Sequence, residues 1–408
     1  MSRILVVNCG SSSLKYRLYD GVDAADDRPV TDGNQIAVAD GDDAGDRAPG
    51  AGGGPVVLGQ GVIERIGEPG GGPANHENAI RQVLDRIDLT GLTGVGHRVV
   101  HGGQRFAEPT LVSDEVFGEI TDLVPLAPLH NPANLTGIAV TRQLLPGVPQ
   151  VAVFDTAFHR TMPEAAATYA IDAETAHKYG IRRYGFHGTS HAYVSRRTAA
   201  LLGRPYEQVN TITLHLGNGA SACAVAGGRS VATSMGMSPL AGLVMGTRSG
   251  DLDPTVVFQL RRVAGMSVDQ IDDLLNHRSG LLGLTGANDM REVLSRRVAG
   301  DPAAELAFQV YCQRIKFYVG GYFAMLGRLD AVTFTAGVGE HAAPVRAAAL
   351  ADLHHLGITV DPTRNTANAT GDRLISSPTS PTAVAVIPTN EELEIARQTA
   401  ALLTHQPG

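Results

Sequence analysis

An α/β protein of two domains is predicted by three observations. Short strand-like runs alternate with helical patterns along the chain. The 408 residues are too many for one typical core and suit two. One plan, an apolar strand, a Gly-rich polar turn and a second alternating strand, occurs twice, as "VVNCGSSSLKYRLYDG" and as "TLHLGNGASACAVAGG".

The first copy reads as a β-hairpin. Leu14, Tyr16 and Leu18 fall on one face and Lys15, Arg17 and Tyr19 on the other, the period of two of a strand. A Walker A loop needs G-x-x-x-x-G-K-[ST] running into a helix, whereas here the lysine follows the hydroxyls on a strand. Glycine lets backbone N–H groups approach an anion, and serine hydroxyls add donors. One such hairpin is simply a tight turn; two of them, one per half, point to polyphosphate binding.

The segment "DGVDAADDRPVTDGNQIAVADGDDAGDRAPGAGGGPVVLG", Asp20 to Gly59, has few large apolar side chains. It cannot bury enough surface to offset its ordering entropy and is expected to be a mobile surface loop. An acidic interaction tail is the other reading. Further strands are expected in "GVGHRVVHGG", "VAVFDTAFH", "AVTFTAGVG" and "AVAVIPTNEE", with helices over Glu108 to Val124 and Asp301 to Leu329.

Composition narrows the function. Charged residues make up 18% and the formal net charge is -8, which offers no basic patch to a nucleic acid. The three cysteines, Cys9, Cys223 and Cys312, form no CxxC pair, which fits a reducing cytoplasm better than a disulfide framework or a zinc site. The chain opens directly on a strand-like run, so no signal peptide and a cytoplasmic location are expected. The most apolar stretch, Ala304 to Leu329, is broken by Arg314 and Lys316 and reads as a buried helix, not a membrane span.

Several segments could carry chemistry. "TSMGMSPLAGLVMGTRSGDLDP" is irregular, long and too apolar for disorder, and its Arg248 suits an anion clamp. Arg98 in "GHRVVHGG" needs an acidic partner or a substrate anion, and this segment alone does not decide between them. His187 and His191 in "YGFHGTSH" are four apart, but Gly188 replaces the glutamate of a helical zinc motif. His187 is read as a donor in a cleft and His191 as a helix-packing residue. His130 and Asp155 end segments expected to face the same cleft. In "TNEELEIAR", Thr389 is the expected N-cap with Glu391 and Glu392 in the first turn. The plain reading is capping; a carboxylate beside a phosphate site would also attract Mg²⁺.

Taken in order, "NCGSSSLK", "HRVVHGG", "FDTAFH", "YGFHGTSH", "LHLGNGAS", "MGTRSGDLDP", "GVGEH" and "TNEE" resemble the acetokinase family, within the acetate and sugar kinase, Hsp70 and actin superfamily. The resemblance runs from Ile4 to the final helix and leaves out only the acidic stretch. It implies a duplicated, actin-like (ribonuclease H-like) ATPase fold with a central cleft. It divides the chain into a first domain, 1–155 plus about 390–408, and a nucleotide-binding and dimerisation domain, 156–389.

The residue roles that follow are those the resemblance implies. Asn8 and Glu391 would hold Mg²⁺ or Mn²⁺. Ser11, Ser13 and Lys15 would line the phosphate path. Arg98 and Arg248 would clamp the carboxylate and the moving phosphoryl group, with His187 stabilising the transition state; Asp155 also belongs to the catalytic set, where an acid/base role is one reading of the family pattern and a positioning or metal-facing role the preferred one. His215, Leu216, Gly217, Asn218 and Gly219 would touch the nucleotide phosphates. Asp289, Met290, Arg291, Gly337, Val338, Gly339, Glu340 and His341 would surround the adenosine. Val100, Leu129, Phe186 and Pro239, beside His130, would form the acid's pocket. The expected reaction is reversible phosphoryl transfer from ATP to acetate, giving acetyl phosphate and ADP, in a homodimer without nucleic-acid or membrane partners. A propionate or butyrate kinase, or an actin- or Hsp70-like nucleotide switch, are the alternatives. The sequence departs from the family pattern at Ala232, Ala241 and His341, where Asp, Glu and Asn are usual.

Overall fold

The structure, a computed structural model, describes residues 2–10, 12–23, 31–32, 54–68, 71–128 and 130–404. It divides into two compact units, Met1–Ala157 with Asn390–Gly408, and Phe158–Thr389.

The first unit is built on a seven-stranded sheet. Its strands are β1 (Ser2–Cys9), β2 (Leu14–Val22), β3 (Thr31–Asp32), β4 (Val56–Ile63), β5 (Leu92–Val99), β6 (Thr110–Leu111) and β7 (Gln150–Phe154), in the order β3-β4-β2-β1-β5-β7-β6. β1 is buried from Ile4 to Val7 because both faces of the sheet are covered, so its sequence is a continuous apolar run. On one face Leu5, Val7, Leu14 and Leu18 pack with Ile80 and Val83 of the helix His76–Leu84. Further along, Val99, Ile138 and Phe154 form a second cluster in which Phe106 stacks on Phe154 with ring centroids 4.5 Å apart. The helix Glu391–Thr404 packs on β1, β2, β5 and β7.

The second unit carries a six-stranded sheet, β8 (Asn210–Leu216), β9 (Ala220–Ala226), β10 (Arg229–Thr233), β11 (Ala331–Thr335), β12 (Arg373–Leu374) and β13 (Ala383–Val386), in the order β10-β9-β8-β11-β13-β12. The helix Gly188–Leu201 packs on β8 and β11, and Pro302–Leu326 packs on β9.

The two sheets repeat one plan. In β4-β2-β1-β5-β7 and in β10-β9-β8-β11-β13, three antiparallel strands are followed by two parallel ones, met in the same chain order. The two Gly-turn hairpins of the sequence are β1-β2 and β8-β9, at equivalent places.

Three expectations need correction. The acidic stretch is shorter than Asp20 to Gly59, because β2 runs to Val22 and β4 starts at Val56, where the two strands pair in the sheet. Residues 24–30 and 33–53, where the expected mobile loop falls, lie outside the described residues. The helix expected over Glu108 to Val124 is only Asp114–Asp122, capped by the Ser113 side chain; Thr110–Leu111 instead pairs with β7. The helix expected from Asp301 ends at Leu326, with Asp301 as its cap, and it is not buried all round: Leu306, Phe317 and Met325 are exposed.

Candidate active site

In the first unit, strand register brings Arg98 and Asp155 together. β5 and β7 pair in parallel with Arg98 opposite Val153, and the Asp155 N–H donates to Val99 O at 3.0 Å. The Arg98 guanidinium donates Nη2–H to Asp155 Oδ2 at 2.6 Å and Nε–H to Oδ1 and Oδ2 at 3.1 and 3.0 Å. Glu391 Oε2 lies 3.8 Å from Arg98 Nε. Burial alone would lower the Arg98 pKa; Asp155 and Glu391 more than offset this and raise it. The segment alone left Arg98 undecided between an internal partner and an anion. Its Nε and Nη2 have the internal partner Asp155, and among the described residues Nη1 makes no hydrogen bond.

Glu391 opens the helix Glu391–Thr404, whose cap is Asn390 and not Thr389. Asn390 Oδ1 accepts from Leu393 N at 3.1 Å, while Thr389 Oγ1 is turned to Ser190 Oγ at 2.8 Å. Adjacent Thr and Asn both suit a cap, and sequence could not choose between them. Burial, with Asp155 and Glu392 nearby, pushes the Glu391 carboxyl above the usual carboxylate range, against the pull of Arg98 and Lys15. Lys15 Nζ contacts the buried Glu392 Oε1 at 2.5 Å, and Arg17 donates to Asn390 Oδ1 at 3.1 Å. Asn8 is the register partner of Lys15. Ser13 O accepts the Gly10 N–H at 2.7 Å and closes the turn. Val100 N donates to Asn134 Oδ1 at 3.1 Å, and His130 immediately precedes the helix Asn131–Leu144. Ser11 and Leu129 lie outside the described residues. Sequence reasoning gave no role to Asn131 and Asn134, whose side chains hold the chain after β5. Their signal was two amides three apart in "LHNPANL".

In the second unit, the β8-β9 turn is the hub. Its Gly219 faces both His187 and Arg248: a Cβ added there would lie 3.5 Å from His187 Nε2 and 3.6 Å from Arg248 Nη1. His187 sits at φ 58, at the start of the helix Gly188–Leu201. Its ring stacks on His215 with centroids 4.3 Å apart, and its Nδ1 meets Ser221 Oγ at 2.8 Å. His215 Nδ1 meets Ser190 Oγ at 2.7 Å. The segment around Arg248 has no helix or strand but is pinned by backbone bonds: Gly246 N–H to Asn218 O at 2.9 Å, Ser249 N–H to Leu275 O at 3.1 Å, and Asp251 N–H to Gly242 O at 3.0 Å. Arg248 donates to Pro239 O at 3.1 Å and has no carboxylate partner among the described residues. Burial lowers its pKa. Phe186 is buried, and its carbonyl meets His159 Nε2 at 2.9 Å.

Beside this hub is a pocket of about 650 Å³ lined by Gly217, Asn218, Gly246, Asn288, Asp289, Met290, Arg291, Tyr311, Gly337, Val338 and His341, among others. Asp289 caps the helix Met290–Val298 and pairs with Arg291 at 2.5 Å. Eight of the residues assigned to the nucleotide line this pocket. Gly339 and Glu340 do not: both carbonyls accept from the buried Arg346 Nη1 at 2.9 Å. Leu216 is buried in β8. Ala232 is also buried, in β10. Among the described residues no group of three His, Cys, Asp or Glu is placed to hold a metal ion.

The duplicated sheet order is that of the actin-like ATPase fold, the class that includes acetate and sugar kinases. The chain belongs to the acetokinase family, whose sequence profile, described as Acetokinase family, matches residues 59–397. It is therefore a phosphotransferase. It is 57% identical over 427 residues to an acetate kinase of Streptomyces griseus subsp. griseus, covering 98% of this chain and 96% of that one. Among solved structures it is similar to an acetate kinase of Porphyromonas gingivalis (TM-score 0.85, 39% identity, 99% of this chain and 100% of that one). A propionate kinase of Francisella tularensis subsp. tularensis is similar at TM-score 0.84 and 39% identity, with 98% and 100% covered.

Proposed function

We propose that this chain catalyses ATP + acetate ⇌ ADP + acetyl phosphate by in-line phosphoryl transfer. The observation that carries the reading is that Asn218 and Gly219 are consecutive. Asn218 lines the nucleotide-sized pocket, and Gly219 lies beside His187 Nε2 and Arg248 Nη1. A nucleotide bound there with its phosphates toward Gly219 would bring them to a cation and an imidazole. Arg248 is a half-buried cation with no carboxylate among the described residues to neutralise it, which is what a transferred phosphoryl group requires.

The acid needs no general base. A simple carboxylic acid, with a pKa of roughly 4 to 5, is ionised at neutral pH. Catalysis is then positioning and charge neutralisation. Arg98, oriented by Asp155, is assigned to the acid's carboxylate through Nη1. Asp155 is assigned as a positioning residue, because its carboxylate accepts from the guanidinium at both Nε and Nη2. Val100, Leu129, Phe186 and Pro239, with His130, are assigned to the short alkyl end. Ser11, Ser13, Lys15 and His215 are assigned to the phosphates.

The donor set fits Mg²⁺, or Mn²⁺, arriving with the nucleotide. Such an ion takes hard oxygen ligands, usually one or two carboxylates plus substrate phosphates, and keeps several waters. Asn8 and Glu391 would supply an amide and a carboxylate oxygen. The Glu391 carboxylate, disfavoured by burial and by Asp155 and Glu392, gains from a nearby cation. Such an ion would neutralise phosphate charge.

Two further points belong to this reading. The exposed Phe317, Leu306 and Met325 on the helix Pro302–Leu326 support a homodimer, checked by light scattering. The three cysteines are unpaired and buried, which supports a reducing compartment. No helix among the described residues is long and apolar enough to cross a membrane.

The test is ATP-dependent hydroxamate formation with hydroxylamine and a panel of acetate, propionate and butyrate. Acetate is expected to give the highest kcat/KM, with propionate slower, since one methylene is worth about 1–3 kcal/mol of discrimination. Higher kcat/KM with propionate or butyrate would overturn the acid assignment. No hydroxamate with any acid would overturn the kinase reading in favour of a nucleotide switch.

A further inference from the structure

Behind His187 a chain of hydrogen bonds runs through the core of the second unit. His187 Nδ1 meets Ser221 Oγ at 2.8 Å, and the same hydroxyl meets His191 Nε2 at 2.8 Å. On its other side, His191 Nδ1 meets Thr213 Oγ1 at 2.7 Å. Ser221, His191 and Thr213 are each 0% exposed. Among the described residues Ser221 Oγ bonds only these two rings, and Thr213 Oγ1 bonds only His191.

The proton order along this chain has two possible senses. A hydroxyl has one hydrogen and two lone pairs; accepting from both imidazoles would leave the buried Ser221 hydrogen unpaired, so Ser221 donates to one ring and accepts from the other. In the first sense, Thr213 donates to His191 Nδ1, His191 Nε2–H donates to Ser221, and Ser221 donates to His187 Nδ1. His187 then carries its own proton on Nε2. In the reverse sense, His187 Nδ1–H donates to Ser221, Ser221 to His191 Nε2, and His191 Nδ1–H to Thr213. That leaves the Thr213 hydroxyl hydrogen buried with no acceptor, and an unpaired buried donor carries its full desolvation penalty. In the first sense every buried donor of the chain is paired. His191 cannot escape the choice by donating from both nitrogens. Burial first, then His159 and His215, hold its pKa well below the ordinary histidine value, so it is neutral.

We propose that Thr213, His191 and Ser221 are positioning residues that hold His187 as the Nε2–H tautomer, so that it offers an N–H donor to the transferred phosphoryl group. The proposal rests on the kinase reading for what the donor meets; the tautomer is a property of the free protein. The Nε2 edge is the one that lies beside Gly219, next to Arg248 Nη1. Charge on the equatorial oxygens is stabilised by a donor already aimed at them, whereas the other tautomer would set a lone pair against them. The device costs no charge, and the stacked His215 holds the ring plane.

The test is long-range ¹H–¹⁵N correlation on the full chain labelled at histidine, without ligands, with His187 assigned by difference against His187→Gln. The expected pattern is a protonated Nε2 and an unprotonated Nδ1 at His187. The opposite pattern overturns the proposal, whatever the activity. Thr213→Val keeps the shape and removes the terminal donor. It is expected to mix the His187 tautomers and to lower kcat about tenfold while both KM values stay within about twofold. Thr213→Ser is expected to restore both readouts. A wild-type His187 spectrum in Thr213→Val overturns the role of the chain. Mixed tautomers with unchanged kcat overturn the assignment of His187 to the phosphoryl group and leave the tautomer standing.

Discussion

Arg98 and Asp155 form a two-pronged ion pair, Nη2 to Oδ2 at 2.6 Å, in which the carboxylate is 1% exposed and the arginine's Nη1 has no hydrogen bond among the described residues. The pair joins stability to function. Arg98→Ala would leave Asp155 buried without its partner, a loss of about 3–5 kcal/mol. The Asp155→Ala, Arg98→Ala double variant is expected to lose less than the two single variants together. Urea unfolding of the four proteins measures this, and strict additivity would show that the pair does not act as a unit. In the folded fraction, Arg98→Ala is expected to raise the acetate KM more than the ATP KM.

Arg248 differs because among the described residues no carboxylate shares its charge. Arg248→Ala is expected to lower kcat by about 10²–10³, the usual cost of a lost transition-state donor, with little change in melting temperature. Lysine should rescue only partly, since a point charge cannot make two parallel contacts. Steady-state kinetics decide it: near-normal kcat in Arg248→Ala would make this arginine structural.

Gly246 lines the pocket beside the β8-β9 turn, assigned above to the nucleotide, with its backbone against Asn218. A Cβ there would run into Asn218 Oδ1, and the neighbour is a turn held by the Gly246 N–H itself. Gly246→Ala is expected to weaken ATP binding about tenfold or more, read by titration calorimetry, while the acetate KM changes little. Unchanged ATP affinity would place the nucleotide elsewhere.

His97 gives the fold a pH dependence of definite sign. It is buried in β5, its Nε2 bonds Gln150 Oε1 at 2.7 Å, and burial pushes its pKa down from 6.5 to about 4. The folded state therefore holds it neutral where the unfolded chain would protonate it. The stability it contributes is present above pH 6.5 and is lost as pH falls toward 4. Between pH 7 and pH 5 the loss from this residue is about 2 kcal/mol. Urea unfolding at the two pH values should show it, and His97→Gln should flatten the difference. An equal slope in the variant would assign the pH dependence to other groups.

What could be read from the sequence was local. The two hairpins announced themselves by alternation on either side of a Gly-rich turn, and the duplicated sheet follows from them. Most residues that line the pocket of the second unit, such as Asn218, Asp289, Met290 and Val338, are named only through the family resemblance, not by any local pattern. Relationships across long separations were not legible. Asp155 lies 57 residues from Arg98, and nothing in either segment names the other. Ser221 and Thr213 look like ordinary strand residues, and His191 like helix packing, until the fold sets them in line. Arg346, whose guanidinium turns the Gly339 and Glu340 carbonyls inward, reads as one more surface arginine in a helix. Cap and strand ends failed by a few residues for a simpler reason: neighbouring side chains such as Thr389 and Asn390 can serve equally.

The most direct test of the account is ³¹P NMR of the purified chain with Mg²⁺, ATP and acetate, followed in both directions. Transfer to the acid predicts growth of an acetyl phosphate resonance in step with ADP, and, from acetyl phosphate and ADP, return of the ATP γ-phosphate signal. ATP consumption that yields only inorganic phosphate, unchanged by acetate, would contradict it.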